Sequence, residues 1–502
     1  MKRRIPPKDT ISSPSPWISG ALKRLPAPPG PGERFPFEQL FRLQKLTLLP
    51  YIRSIVRTYG DLARINFSRV WVYLPSHPDD IREILQTRHR RFVKGFAADL
   101  IRDALGYSVF AAEGHLHRRQ QKLMQPAFRI DAIERYAEMM LECFQYSDAA
   151  WEDGEPLQIV HEMHKLTMNV ATRTLFNMPP GDKQDEVGEA LLVLIRGISQ
   201  RIATPMGVLK ATFPILPDPE WRASLRVLDE LIGDIIRQHE TGALPNDDLL
   251  GQLMLAKDET GQGLSREQLR DEVLTLFVAG HETTAIALCW AWYEAAKNHT
   301  IQTRIQEEVA QVCGERTPCF ADLPHLSYCR RVFQESLRHY PPIPVFLRQA
   351  LEDIELRGYT VPRGSVFAIS PYIVHHDPRF YPDPDNFNPD RWTEDFTEQL
   401  HKFAFIPFSG GPRVCIGERF AWTEGTLALA YFAQNWNFEL LPYQDVKPGT
   451  MGTMRPASEI EMVVRRRDQG GTAYREDSGA VAPAKVHAKY PFSHGTHTDS
   501  RA

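Results

Sequence analysis

A mainly α-helical fold with small β-sheets is what the sequence predicts, on three observations. The longest periodic segments repeat apolar residues at the spacing of one helix face. Strand-like runs are short and bounded by Gly, Pro and Ser. Composition over 502 residues is that of an ordinary globular protein, 42% hydrophobic and 24% charged.

Residues 1–34 are rich in Pro and Gly and read as a flexible lead-in. "ARINFSRVWVYLPS", Ala63–Ser76, alternates like a β-hairpin. "DAIERYAEMMLECFQYSDAAW" and "IQTRIQEEVAQVCG" are amphipathic helices. "GLSREQLRDEVLTLF" opens with Ser265 and Gln268 spaced as a capping box, and Leu264 and Leu269 as a hydrophobic staple. Beyond it, Leu274, Phe277, Val278, His281, Ala285, Leu288 and Trp292 line one face. "IELRGYTVPRGSVFAIS" reads as a second pair of strands. The body, residues 35–467, ends near Arg467. Residues 468–502 have few aliphatics and no periodicity, which predicts disorder, and His487, His494 and His497 read as part of a solvated tail.

A net charge of −4 gives no reason to expect nucleic acid or an anionic membrane as partner. Six irregularly spaced cysteines make no disulfide framework and point to a reducing cytoplasm. No apolar run near the N-terminus suggests a signal peptide or transmembrane anchor. Val273–Tyr293 has spanning length, but His281 and Glu282 at its centre are costly in lipid. A buried helix of a soluble protein is the expectation.

His281-Glu282-Thr283-Thr284-Ala285 begins like a zinc-binding HExxH, yet the second histidine is missing. What remains is Ala279-Gly280 followed by an acid and two threonines. Gly280 suits either close helix packing or a widened turn where a flat ligand approaches. Glu335 and Arg338 stand one turn apart ahead of Pro341 and Pro342; alone they would be a surface ion pair. Arg391 in "FNPDRW" offers a third partner for a buried network. "FSGGPRVCIGERF", Phe408–Phe420, surrounds one cysteine with glycine and arginine and contains no second Cys or His. A core cysteine needs none of this, and a zinc knuckle needs more ligands. The loop reads as holding one isolated thiolate against something large and flat.

The order AGHETT, ExxR, FNPDRW, FSGGPRVCIG over about 140 residues resembles the cytochrome P450 (haem-thiolate monooxygenase) family, of the soluble bacterial type. The resemblance spans roughly Phe35 to Arg467. It implies the P450 fold, with haem b (iron protoporphyrin IX) between the long central helix and the cysteine-loop helix. Cys415 would be the metal ligand, in a signature carried by Phe408, Gly411, Arg413 and Gly417. Gly411 and Gly417 would let the backbone approach the porphyrin. His117, Arg348 and Arg413 would meet the haem propionates, while Glu335, Arg338 and Arg391 would form a structural triad. Thr283 and Glu282 would be catalytic, delivering protons for O₂ activation. One departure stands out. The family often has Trp and Arg four apart on the helix "GHLHRRQQKLMQPAF", where this chain has His117 and Gln121, so Lys122 is expected to compensate for the missing charge.

The function implied is insertion of one atom of O₂ into a C–H or C=C bond of a hydrophobic small molecule, by a monomer. Electrons would come from a separate ferredoxin or flavodoxin with its reductase. That partner would dock on a face made basic by Arg118, Arg119, Lys122 and Arg419. Substrate contacts are expected from Phe96–Phe110, the central helix, Ile343–Leu347 and Met451–Met454, apolar stretches that suit fatty-acid, terpenoid or polyketide ligands. The alternatives are a peroxide-driven or isomerising relative, or a non-catalytic haem-thiolate sensor. Glu282 and Thr283 favour O₂ activation over both.

Overall fold

A computed structural model describes residues 27–32, 48–67, 70–181, 184–203, 218–449 and 452–467. The expected tail, 468–502, and Met451 lie outside the described residues, as does most of the lead-in. Residues 27–32 correct one expectation: they are not a loose leader but lie along the first strand. The Pro29 carbonyl accepts from the Arg64 N–H at 2.9 Å, and a Cβ on Gly30 would meet the Arg64 carbonyl oxygen at 2.0 Å.

The helices that frame the site are α1 (Leu48–Tyr59), α2 (Gly114–Met124), α3 (Ile130–Asp148), α4 (Ile159–Phe176), α5 (Pro219–Glu240), α6 (Arg266–Lys297), α7 (His299–Cys313), α8 (Ser327–His339) and α9 (Glu418–Asn435). Three small sheets flank them. β1 (Leu62–Phe67), β2 (Val70–Pro75) and β3 (Phe92–Val93) share one with β5 (Phe346–Ala350) and β8 (Val366–Ile369), in the order β1-β2-β8-β5-β3. β4 (Pro156–Gln158) pairs with β10 (Glu461–Arg466), which pairs with β9 (Trp436–Leu440); β6 (Ile354–Leu356) pairs with β7 (Tyr359–Val361).

Ala63–Ser76 forms the predicted hairpin, with Ala63 opposite Leu74. The second stretch gives the antiparallel pair β6–β7, and its last strand, β8, leaves to pair in parallel with β2 and antiparallel with β5. The first pairing joins segments adjacent in the chain, whereas long-range packing decides the second.

α6 starts where the capping box puts it. Gln268 N–H donates to Ser265 Oγ at 3.2 Å, and Ser265 N–H to Gln268 Oε1 at 3.0 Å. From Val273 onward it is buried nearly all round, against α4, α8, α9 and β9, so a single apolar face understates it. Among the described residues it alone is long and apolar enough to cross a membrane, yet 72% of its apolar window is buried inside the protein. That is the signature of a core helix.

Candidate active site

The cysteine loop is folded by its own backbone. Cys415 N–H donates to the Phe408 carbonyl at 3.0 Å, the Gly417 N–H points at the Cys415 sulfur, and α9 begins one residue later. The Phe408 ring packs against Trp422 of α9, centroids 5.8 Å apart. Gly411 has φ +66°, and a Cβ there would meet the Leu85 carbonyl oxygen at 1.9 Å. Its missing side chain therefore makes room for the backbone of Leu85 and Gln86. Burial pushes the Cys415 thiol up to about 11, although the residue is exposed. The sulfur thus faces space enclosed by protein. A coordinated metal ion deprotonates such a thiol outright.

Around that sulfur gather Lys94, Arg348, Arg413 and His117. Burial is the main force pushing all four down, and neighbouring cations add to it for Lys94, Arg348 and His117, while Glu113 opposes it at Arg413; Arg348 falls to about 10 and His117 to about 3. His117 is therefore neutral and able to donate one ring N–H. Glu113 is the carboxylate that faces the cations: it pairs with Arg413 and accepts the Lys94 backbone N–H at 2.7 Å. Three cations, Arg348 buried and Lys94 and Arg413 half-buried, against one carboxylate call for further negative charge. The two propionates of a haem b supply that charge, and the isolated thiol supplies an iron ligand. The residues present fit the cofactor.

Lys122 does not join this cluster. Lys122 points outward and pairs with Glu259 at 3.0 Å, both largely exposed. Gln121 donates to the Pro412 carbonyl at 3.2 Å and so braces the cysteine loop. Lys94, between β3 and a short helix, is a half-buried cation of the cluster, its ammonium 3.6 Å from the centre of the Phe110 ring. No motif marks it, since it converges on Arg413 from far away in the chain.

On α6 the residues Leu276, Ala279, Gly280 and Thr283 are accessible, and of the residues between them only Val278 is not buried. Their spacing of i, i+3, i+4 and i+7 makes one stripe. A Cβ on Gly280 would meet nothing within 4 Å, so close helix packing does not explain this glycine. Thr283 Oγ1 donates to the Ala279 carbonyl at 2.7 Å, leaving its lone pairs free on the accessible side. Glu282 is buried and pushed up by that burial; it accepts from Thr453 Oγ1 at 2.8 Å. Thr284 turns the third way, toward Glu424 of α9, whose carboxyl burial pushes up to about 8.

Glu335, Arg338 and Arg391 come together in the interior. Arg338 and Glu335 have fully buried side chains and form a two-pronged pair, both contacts at 2.8 Å. Arg391 Nε reaches Glu335 at 3.0 Å, and Trp392 Nε1 and the Asn388 N–H complete the carboxylate. The guanidinium of Arg338 also donates to the carbonyls of His375, Pro384 and Asn386. A surface ion pair is excluded.

The family model "Cytochrome P450" matches residues 28–464. The chain is 36% identical over 410 residues to cyclooctatin synthase of Streptomyces melanosporofaciens, covering 81% of this chain and 87% of that one. It is 32% identical over 425 residues to pentalenene oxygenase of Streptomyces avermitilis, covering 84% and 93%. Among solved structures it superposes on the cytochrome P450DA haem domain with a TM-score of 0.77 at 26% identity, covering 89% of this chain and 98% of that one. A match of this extent, over the chain that carries the cysteine loop, the cation cluster and the central helix, places the protein in the cytochrome P450 family.

Proposed function

We propose that this P450 is a cytoplasmic, monomeric monooxygenase that oxidises an apolar terpenoid with electrons from a separate ferredoxin or flavodoxin and its reductase. The observation that carries this reading is the accessible stripe on α6, apolar at Leu276 and Ala279, with Thr283 at its end and buried Glu282 beside it. Haem b, when bound, supplies the oxygen chemistry. Cys415 would hold the iron, with Gly417 N–H tempering the charge on sulfur. Lys94, Arg348, Arg413 and His117 would hold the propionates. Of the three substrate classes expected from the apolar lining, the names of the two Streptomyces relatives favour the terpenoid.

The test is product formation from pentalenene and other cyclic terpene hydrocarbons, driven by NAD(P)H through a surrogate ferredoxin and reductase. Product formed only with peroxide, or none with any apolar compound, would overturn the reading.

Thr283 and Glu282 divide the proton work. The Thr283 hydroxyl holds its proton on the Ala279 carbonyl and releases it by rotating toward the stripe. Glu282, whose carboxyl burial pushes up, would recharge it. Positioned acid–base groups of this kind contribute about 10²–10⁴-fold. Thr283→Ala is expected to keep substrate binding and NAD(P)H consumption while diverting the electrons to hydrogen peroxide. A variant that stays fully coupled, product per NAD(P)H unchanged, would leave Thr283 as a packing residue.

Lys94→Ala should weaken haem retention by about 10-fold, the worth of one hydrogen bond to a charged group. Lys122→Ala should not, because that ammonium is already paired on the surface. Haem transfer to apomyoglobin measures both; equal rates in the two variants would remove Lys94 from the propionate site.

A cleft of about 740 Å³ runs along the cysteine loop, lined by Gln86, Lys402, Ser409, Pro412, Val414 and Glu418 among others, and would receive the electron donor. The neighbouring basic face is weaker than its sequence suggests. Arg119 is held by Asp258 at 2.6 Å and Lys122 by Glu259, which leaves Arg118 and Arg419 exposed.

A further inference from the structure

Residues 107–110 cross from α6 toward the cation cluster without belonging to a strand or helix. Ser108 is buried and Tyr107 and Val109 are half-buried, so their backbone groups need partners, and α6 provides them. Tyr107 N–H donates to Asp271 Oδ2 at 3.0 Å, and Val109 N–H is shared between the two Glu272 oxygens at 3.0 and 2.9 Å. Between them, Thr275 Oγ1 donates to Ser108 Oγ at 2.7 Å. Positions 271, 272 and 275 lie on one side of the helix, a turn apart. Arg270 extends the grip, donating to the Ala104 carbonyl at 2.5 Å while paired with Asp229 of α5. At the far end, Arg413 donates to the Val109 carbonyl at 3.4 Å and pairs with Glu113.

Glu272 is the telling member. Its side chain is fully buried, and its hydrogen-bond partner is this backbone rather than a cation. Burying a carboxyl is costly, and an apolar side chain would pack at less expense. What the carboxyl adds is direction, holding consecutive residues in one position. Phe110, next along, is 42% exposed, with its ring against the Lys94 ammonium of the cation cluster.

We propose that Asp271, Glu272 and Thr275 are positioning residues that seat Tyr107–Val109, and through Phe110 set which apolar molecules the cavity admits. The proposal rests on the monooxygenase reading only for the identity of those molecules. It predicts local consequences from one substitution. In holoprotein carrying Glu272→Ala, amide hydrogen exchange at Tyr107 and Val109 should accelerate about 10-fold or more, with α8 and α9 unchanged. Affinity for 4-phenylimidazole, read from the visible spectrum, should shift several-fold, while affinity for imidazole, too small to reach the segment, stays constant. Glu272→Gln keeps an acceptor oxygen and should recover most of both. If Glu272→Ala yields no holoprotein, Thr275→Val removes only the Ser108 bond and should give the same pattern at smaller amplitude. Unchanged exchange at 107–109, or equal loss of affinity for both imidazoles, would overturn the proposal. Faster exchange with the size-selective shift, but no oxygenated product from any terpene, would instead sink the monooxygenase reading and leave the seat intact.

Discussion

Cys415→Ser is expected to leave the fold standing and to abolish turnover. The loop keeps its shape through backbone contacts, Cys415 N–H to Phe408 and the Gly417 N–H at the start of α9, and serine retains these. The change falls on the donor atom. A cysteine sulfur pushed up to about 11 by burial still ionises under an iron ion, whereas a hydroxyl is far less acidic and pushes less electron density onto the metal. The readout is the spectrum of the reduced CO complex together with haem content. Bound haem without the thiolate signature, and no product, is the expected result. A spectrum unchanged from the parent protein would dismiss Cys415 as the ligand.

The largest effect on stability is expected at Arg338. Its guanidinium is 0% exposed and answers both oxygens of Glu335, which is also 0% exposed, while donating to three backbone carbonyls. Arg338→Ala leaves Glu335 facing only Arg391, the Trp392 indole and the Asn388 N–H, and strips the His375, Pro384 and Asn386 carbonyls of a donor. Breaking a buried pair from one side costs about 3–5 kcal/mol, against a total stability of about 5–15 kcal/mol for a typical domain. Little holoprotein should accumulate. Glu335→Gln should be comparably damaging, since its amide N–H groups would face donors and both guanidiniums would lose their carboxylate. Denaturation midpoints and haem yield measure both; an Arg338→Ala protein with parental yield and midpoint would show that the network contributes nothing net.

The features legible in the sequence are those that local chemistry determines. Ser265 and Gln268 start α6 because their bonds close within three residues. The Ala63–Ser76 hairpin pairs neighbours in the chain. The cysteine loop carries its glycines, its arginine and its cysteine within ten positions, so the kind of chemistry it performs could be read without knowing what surrounds it. Where the sequence reading fell short, the cause was a partner distant in the chain. The room that Gly411 leaves is taken by the backbone of Leu85 and Gln86. Lys122 looked like the replacement cation because it is adjacent to Gln121, yet one helical position is about 100° of rotation and turns its ammonium to solvent and Glu259. Lys94 comes from another part of the fold, and nothing near it in the sequence signals that it will lie beside Arg413.

By itself, then, the sequence determined the helical class, the cysteine loop, the AGHETT segment and the identity of three charged residues as a set. The tertiary structure alone decided which charges are buried together, which face of α6 is open, and where residues 107–110 sit. The division has a physical reason. Hydrogen bonds within a turn or cap depend on a few consecutive residues, whereas the cost of burying Arg348 or Glu272 depends on what packs around them, and that is a property of the assembled fold.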